Sequence, residues 1–112
     1  MPRMNVPNQS IAANATSINL LAGLSYEFLP QAAHVVLALV AAAVGLNTTF
    51  LVSNGLTVVD DTPMSDANRF PVLPDDIMYE DDVPPGRLLL RVRNTTGGAI
   101  VFRGAIVDIT FA

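Results

Sequence analysis

The alternation of apolar and polar positions is clearest near the C-terminal end of the chain. Leu88, Leu90 and Val92 alternate with Arg91 and Arg93, and Ala105, Val107, Ile109 and Phe111 share one face opposite Asp108 and Thr110. A period of two marks a strand with one face buried. The turn formers Asn94-Thr95-Thr96-Gly97-Gly98 separate the two runs, so the pattern predicts two long strands joined by a tight connection. Upstream in the last strand Ile100 and Phe102 are apolar in the opposite phase. The phase slips at Arg103-Gly104, where a β-bulge would restore the inward face and glycine would permit it.

The most apolar run, Val35 to Leu46, has no such phase. Ala38, Ala41, Ala42 and Ala43 fill the gaps between its larger side chains. A buried helix and a fully buried strand both fit a run of this kind. A weak internal repeat favours the strand. Asn47-Thr48-Thr49 recurs as Asn94-Thr95-Thr96, and Phe50 through Val59 resembles Ala99 through Asp108 once Gly97-Gly98 is skipped. On that alignment Val35–Leu46 is the first strand of a hairpin, Asn47-Thr48-Thr49 its turn, and Gly55 the counterpart of Gly104. The asparagines of Asn8-Gln-Ser, Asn14-Ala-Thr, Asn47-Thr-Thr and Asn94-Thr-Thr are expected in turns.

The rest of the chain is read from its breakers. Residues 1–16, with Pro2, Pro7, Asn5, Asn8 and Asn14, are expected to form an arm without regular structure. Ser17–Leu21 and Tyr26–Leu29 read as short strands, interrupted by Gly23 and stopped by Pro30. Residues 60–86 contain Pro63, Pro71, Pro74, Pro84 and Pro85 and read as one long irregular loop, with Ile77-Met78-Tyr79 as a short strand inside it. The expected architecture is all-β: a small antiparallel β-sandwich, jelly-roll-like, over residues 17–112, preceded by the arm 1–16.

Composition changes this picture by making the domain too apolar for its size. The chain has 112 residues, 51% hydrophobic and 14% charged, against about 25% charged in ordinary domains. A chain this short buries only roughly 60–70% of its unfolded surface, so apolar surface is left over for neighbours. Disorder is excluded by the apolar content, and a disulfide scaffold by the absence of cysteine. The net charge of −4 argues against a binder that holds nucleic acid by charge.

The charges are segregated. Asp60, Asp61, Asp66, Asp75, Asp76, Glu80, Asp81 and Asp82 fall in one window with only Arg69 against them, a local charge of −7, while the remainder carries +3. All six cations are arginine, the residue whose planar fork suits interfaces. The acidic window and the basic C-terminal strands are complementary, within a subunit or between copies. Arg87, Arg91, Arg93, Arg103, Phe70, Met78 and Tyr79 are the interface candidates.

Candidate chemistry is sparse. Asp60, Asp61, Asp75, Asp76, Asp81 and Asp82 supply oxygen ligands of the kind calcium takes, but their spacing does not match an EF-hand. His34 is the sole histidine and reads as a partly buried residue at a strand end. There is no nucleophile elbow and no glycine-rich phosphate loop. No enzyme activity and no cofactor are expected. The N-terminus lacks the apolar core of a secretory signal. Val35–Leu46 is short of the roughly 20 residues that span a bilayer.

The segments Phe70-Pro-Val-Leu-Pro-Asp-Asp76, Pro85-Gly-Arg-Leu-Leu-Leu-Arg-Val-Arg-Asn94 and Ile106-Val-Asp-Ile-Thr-Phe111 carry a likeness of pattern over about the last 45 residues. In that pattern the chain resembles small β-sandwich or jelly-roll virion proteins of bacteriophages, the decoration (cement) and minor capsid proteins. The resemblance implies a non-enzymatic subunit, often a trimer, that binds a major capsid protein and is assembled into the virion in the host cytoplasm. Two other classes compete: a small membrane-associated protein using Val35–Val52, and a receptor- or glycan-binding head. The absence of tryptophan counts against the second.

Overall fold

A computed structural model describes residues 3–111. It is all-β, with two sheets packed as a sandwich. Met1, Pro2 and Ala112, which fall within the expected arm and domain bounds, lie outside the described residues. In chain order the strands are β1 (Arg3–Val6), β2 (Gln9–Ile11), β3 (Phe28–Leu29), β4 (Ala33–Ala41), β5 (Leu46–Val52), β6 (Leu56–Pro63), β7 (Ser65–Asp66), β8 (Ile77–Val83), β9 (Gly86–Arg87), β10 (Leu89–Asn94) and β11 (Ile100–Phe111). In the larger sheet β11 and β4 are central. β1 and β2 run antiparallel to β11 on its outer side, while β8 and the two-residue β7 flank β4. The smaller sheet is β10-β5-β6, and β3 pairs with β9 as a short ribbon. The core between the sheets includes Val35, Leu37 and Leu39 of β4, Phe50 and Val52 of β5, Leu90 and Val92 of β10, and Val107 and Ile109 of β11.

The last two strands form as the alternation predicts. The bulge is present: the β11–β4 register shifts between Phe102 and Gly104, and Gly104 has φ +127°. Phe102 and Ile109 are both fully buried on either side of the slip.

Val35–Leu46 is not one strand. β4 ends at Ala41, residues 42–45 turn, and Leu46 begins β5 in the other sheet. Asn47-Thr48-Thr49 lies inside β5, paired with Arg93, Val92 and Arg91, and is not a turn. The hairpin turn is Ser53-Asn54-Gly55, so Gly55 marks a turn rather than a bulge. The repeat therefore does not correspond to a repeated hairpin. The similar triplets differ because Gly45, not Asn47, adopts positive φ (+128°) at the corner. A Cβ there would lie 2.5 Å from Thr96 Cγ2 and 2.9 Å from Ile100 Cδ1, because the two inter-sheet corners abut. Thr95 N–H ties them by donating to Gly45 O at 2.8 Å.

Why an alanine-rich run becomes a strand is clear from its position. β4 is central and buried on both faces along its second half. Val35, Leu37 and Leu39 face the core, while Ala38 and Val40 are buried outside it. Phe70 lies across that outer face, its ring at Gly104, which pairs with Val40. Small side chains suit a strand that is covered on both sides.

The expected arm is corrected in the same way. Residues 3–11 form β1 and β2 on the edge of the larger sheet, burying Met4, Val6 and Ile11. Pro7 and Asn8 interrupt the pairing without ending it, because Pro lacks only one donor and an edge strand uses half of its own. Ser17–Leu21 is not a ladder strand, although Ser17 N–H and Leu20 N–H donate to Val92 O and Leu90 O at 2.8 Å. The Asn19 side chain replaces a backbone partner there, accepting from Leu90 N–H at 2.9 Å. Of Tyr26–Leu29 only Phe28–Leu29 pairs. The expected 60–86 loop shrinks to the residues between β7 and β8. β6 extends to Pro63, and β8 is longer than Ile77-Met78-Tyr79 because it runs along β4 through Val83.

Candidate contact surface

Among the described residues one arginine ion pair joins the acidic window to the C-terminal strands, and the other three lie within the window or use acids outside it. Arg93 donates to both carboxylate oxygens of Asp61, at 3.0 and 2.6 Å, where β10 and β6 flank β5. Arg87 on β9 donates from Nε to Glu27 at 2.7 Å and stacks over Phe28, 5.8 Å from the ring centroid. Arg69 clasps Asp76 across the base of the 67–76 loop, and Val72 N–H donates to the same carboxylate at 2.8 Å. Arg3 on β1 pairs with Asp108 of β11.

These contacts lower three carboxyl pKa values. Glu27 is lowered first by the Gly23 N–H and then by Arg87. Asp61 is lowered by Arg93. Burial works to raise Asp76, but Arg69 and Val72 N–H outweigh it and its pKa falls. The interface candidates Arg87 and Arg93 are therefore engaged inside the chain. Among the described residues, Arg91 and Arg103 make no ion pair. Arg91 is exposed on β10, and Arg103 is half-buried at the bulge with its Nε buried and without a hydrogen-bond acceptor.

The six calcium candidates do not converge. Asp61 and Asp76 are held by arginines, Asp60 and Asp75 are exposed elsewhere, and Asp81 and Asp82 follow one another on β8. No group of three or more His, Asp or Glu among the described residues is placed to hold a metal ion. His34 is half-buried near the start of β4, as its pattern suggests, but it is bracketed by Glu80 and Asp82 of β8. That bracket is not legible in the sequence, since the three residues meet only through the β4–β8 register.

The apolar candidates divide. Tyr79 packs edge-on against Phe50 with centroids 5.7 Å apart, and Met78 also packs against the core. Phe70 stays 44% exposed although its ring meets Gly104. Larger exposures lie at positions that sequence reasoning passed over: Ile18 at 80%, Val44 at 76%, Phe28 at 61% and Leu56 at 57%. Val72 and Val101 are also exposed. Each sits in a corner, at a strand end or in an irregular segment rather than mid-strand, except Val101. Alternation arguments do not find such positions.

Two shallow depressions accompany this surface. One, of about 310 Å³, is lined by Ala32, Ala33, His34, Asp82, Thr110 and Phe111. The other, of about 270 Å³, lies between β2 and residues 12–18. The first sets His34 beside Asp82, with Thr110 opposite His34 in the β11–β4 register, and no titratable side chain lines the second. No helix of the described residues is long and apolar enough to cross a membrane, and Val35–Val52 is divided between the two sheets. No protein-family model, curated protein or solved structure matches the chain.

Proposed function

We propose that this chain is a non-enzymatic structural subunit of a bacteriophage virion, a capsid decoration (cement) or minor capsid protein. In this reading it associates with itself, as a trimer, and with a major capsid protein, in the host cytoplasm. One observation carries the reading: among the described residues, seven large apolar side chains remain more than a third exposed on a small sandwich, while four of its six arginines are paired within the chain. Exposed apolar side chains mark a surface that meets other proteins where they gather into a patch. The β-sandwich and the pattern of the last 45 residues are in keeping with the virion proteins it resembles. Arg91, exposed opposite Thr49 of β5 and without an ion pair among the described residues, supplies a cation for the rim of such a contact.

Sedimentation velocity of the purified chain, alone and mixed with tailed-phage capsids, tests the proposal. Trimer-sized particles that co-sediment with capsids are expected. A monomer at all concentrations that leaves capsids untouched would overturn it.

A further inference from the structure

His34 stands between two carboxylates of the neighbouring strand. Its Nδ1 is 2.8 Å from Asp82 Oδ1 and its Nε2 is 2.9 Å from Glu80 Oε2. A neutral imidazole carries one N–H and can donate to one of them, leaving a lone pair facing the other. Only the imidazolium donates to both. We propose that His34 is a proton-operated clasp that holds the acidic edge strand β8 onto β4, and that β8 loosens when His34 loses its proton.

The topology explains why β8 needs a clasp. Among the described strands it pairs with β4 alone, and it carries Glu80, Asp81 and Asp82 in succession. Charges of one sign on an edge discourage pairing with other chains, but they also repel each other. Tyr79 and Val83 anchor β8 in the core on either side of the acidic triplet. The clasp therefore acts on Glu80–Asp82, between two fixed points. His34 and Asp82 also line the 310 Å³ depression, so its wall changes with the proton.

The charged surroundings of His34 are few. From β8 it faces Glu80 and Asp82, with Asp81 between them opposite Val35. From β11 its register partner is the uncharged Thr110, and Asp108, opposite Val36, is already paired with Arg3 of β1. From the loop before β8, Arg69 and Asp76 are paired with each other. None of these supplies a cation to replace His34. The hydrogen bonds to Glu80 and then to Asp82 raise its pKa above the ordinary imidazole value. A raised value means that the stabilisation is complete below the free-imidazole value of about 6.5 and is lost as pH rises through the raised one.

The test uses the intact chain. As the sole histidine, His34 gives its own ring resonances in an NMR pH titration, and amide exchange of β8 is followed over the same range. The midpoint is expected above that of free imidazole. Exchange at the amides of residues 80–82 that donate to β4, corrected for intrinsic base catalysis, should rise across that midpoint by about tenfold for each unit of elevation. Amides of β5 and β10 should show no such step. The double variant Glu80→Gln/Asp82→Asn should return the midpoint to the free-imidazole value and abolish the step. A midpoint at or below free imidazole, or β8 exchange without a step at the midpoint, would overturn the proposal.

Discussion

Replacing Gly104 by alanine tests the bulge on which the C-terminal strand depends. Gly104 has φ +127°, where an L side chain is strained by about 1–3 kcal/mol. The added Cβ would also lie 2.6 Å and 2.8 Å from the Phe70 ring and 2.8 Å from the Val6 carbonyl oxygen. The ring can move; the carbonyl belongs to the β1 backbone and cannot move without disturbing the β1–β11 ladder. Overpacking of this kind costs about 1–3 kcal/mol. Together the two effects predict a loss of about 2–6 kcal/mol, centred near 4, a large part of the roughly 5–15 kcal/mol typical of a domain. In urea unfolding that is a fall in midpoint of roughly 2 M, taking about 2 kcal/mol per M as the slope. Gly97→Ala is the control, because nothing lies within 4 Å of its added Cβ, and it should stay within about 0.5 kcal/mol of the parent. In a Phe70→Ala background, Gly104→Ala should cost about 1 kcal/mol less, since only the ring contact is relieved. A Gly104→Ala protein as stable as the parent would refute the bulge geometry. Equal costs in both backgrounds would refute the Phe70 contact.

Other consequences follow from buried polar groups. Asn94 is fully buried, donates to Ile11 O at 3.0 Å and Gly98 O at 2.8 Å, and accepts from Thr96 N–H and Oγ1–H. Asn94→Ala removes the donor to Ile11 O and the acceptor of Thr96 N–H, and should lower unfolding free energy by about 2–4 kcal/mol in the same urea assay. Thr48 Oγ1 is buried without a hydrogen-bond partner in β5. Thr48→Val should therefore raise stability by about 1 kcal/mol, and a destabilised variant would contradict the assignment. The lowered pKa values of Glu27, Asp61 and Asp76 give stability that is present above the ordinary carboxylate range and lost as pH falls through the lowered values. Thermal melts from neutral pH downward should show that fall, and Asp76→Asn should shift less with acid than the parent.

Much of the β architecture is legible in the sequence wherever one face is buried and the other wet. In β10 and β11 the period of two, the phase slip at Gly104 and the Asn94–Gly98 connection each have a local physical cause. Legibility fails where burial is decided by distant chain. The ends of β4 cannot be read from its alanines, because its corner is placed by the neighbouring Thr95–Thr96 turn meeting Gly45. The strand character of residues 3–11 and the run of β8 beyond Tyr79 are equally hidden, since their partners are β11 and β4, far away in sequence.

The candidate surface divides along the same line. Composition alone established that the domain has more apolar residues than its core needs, that its cations are all arginine, and that its acids are gathered in one window. Tertiary structure decided which of these groups face outward. It matched Arg87 with Glu27, Arg93 with Asp61 and Arg69 with Asp76, drew Tyr79 inward, and left Ile18, Phe28, Val44 and Leu56 exposed. The reason is physical. Alternation and turn chemistry act over a few residues, whereas ion pairs and exposure depend on which strands share a register, and register is set by contacts that the whole fold must close.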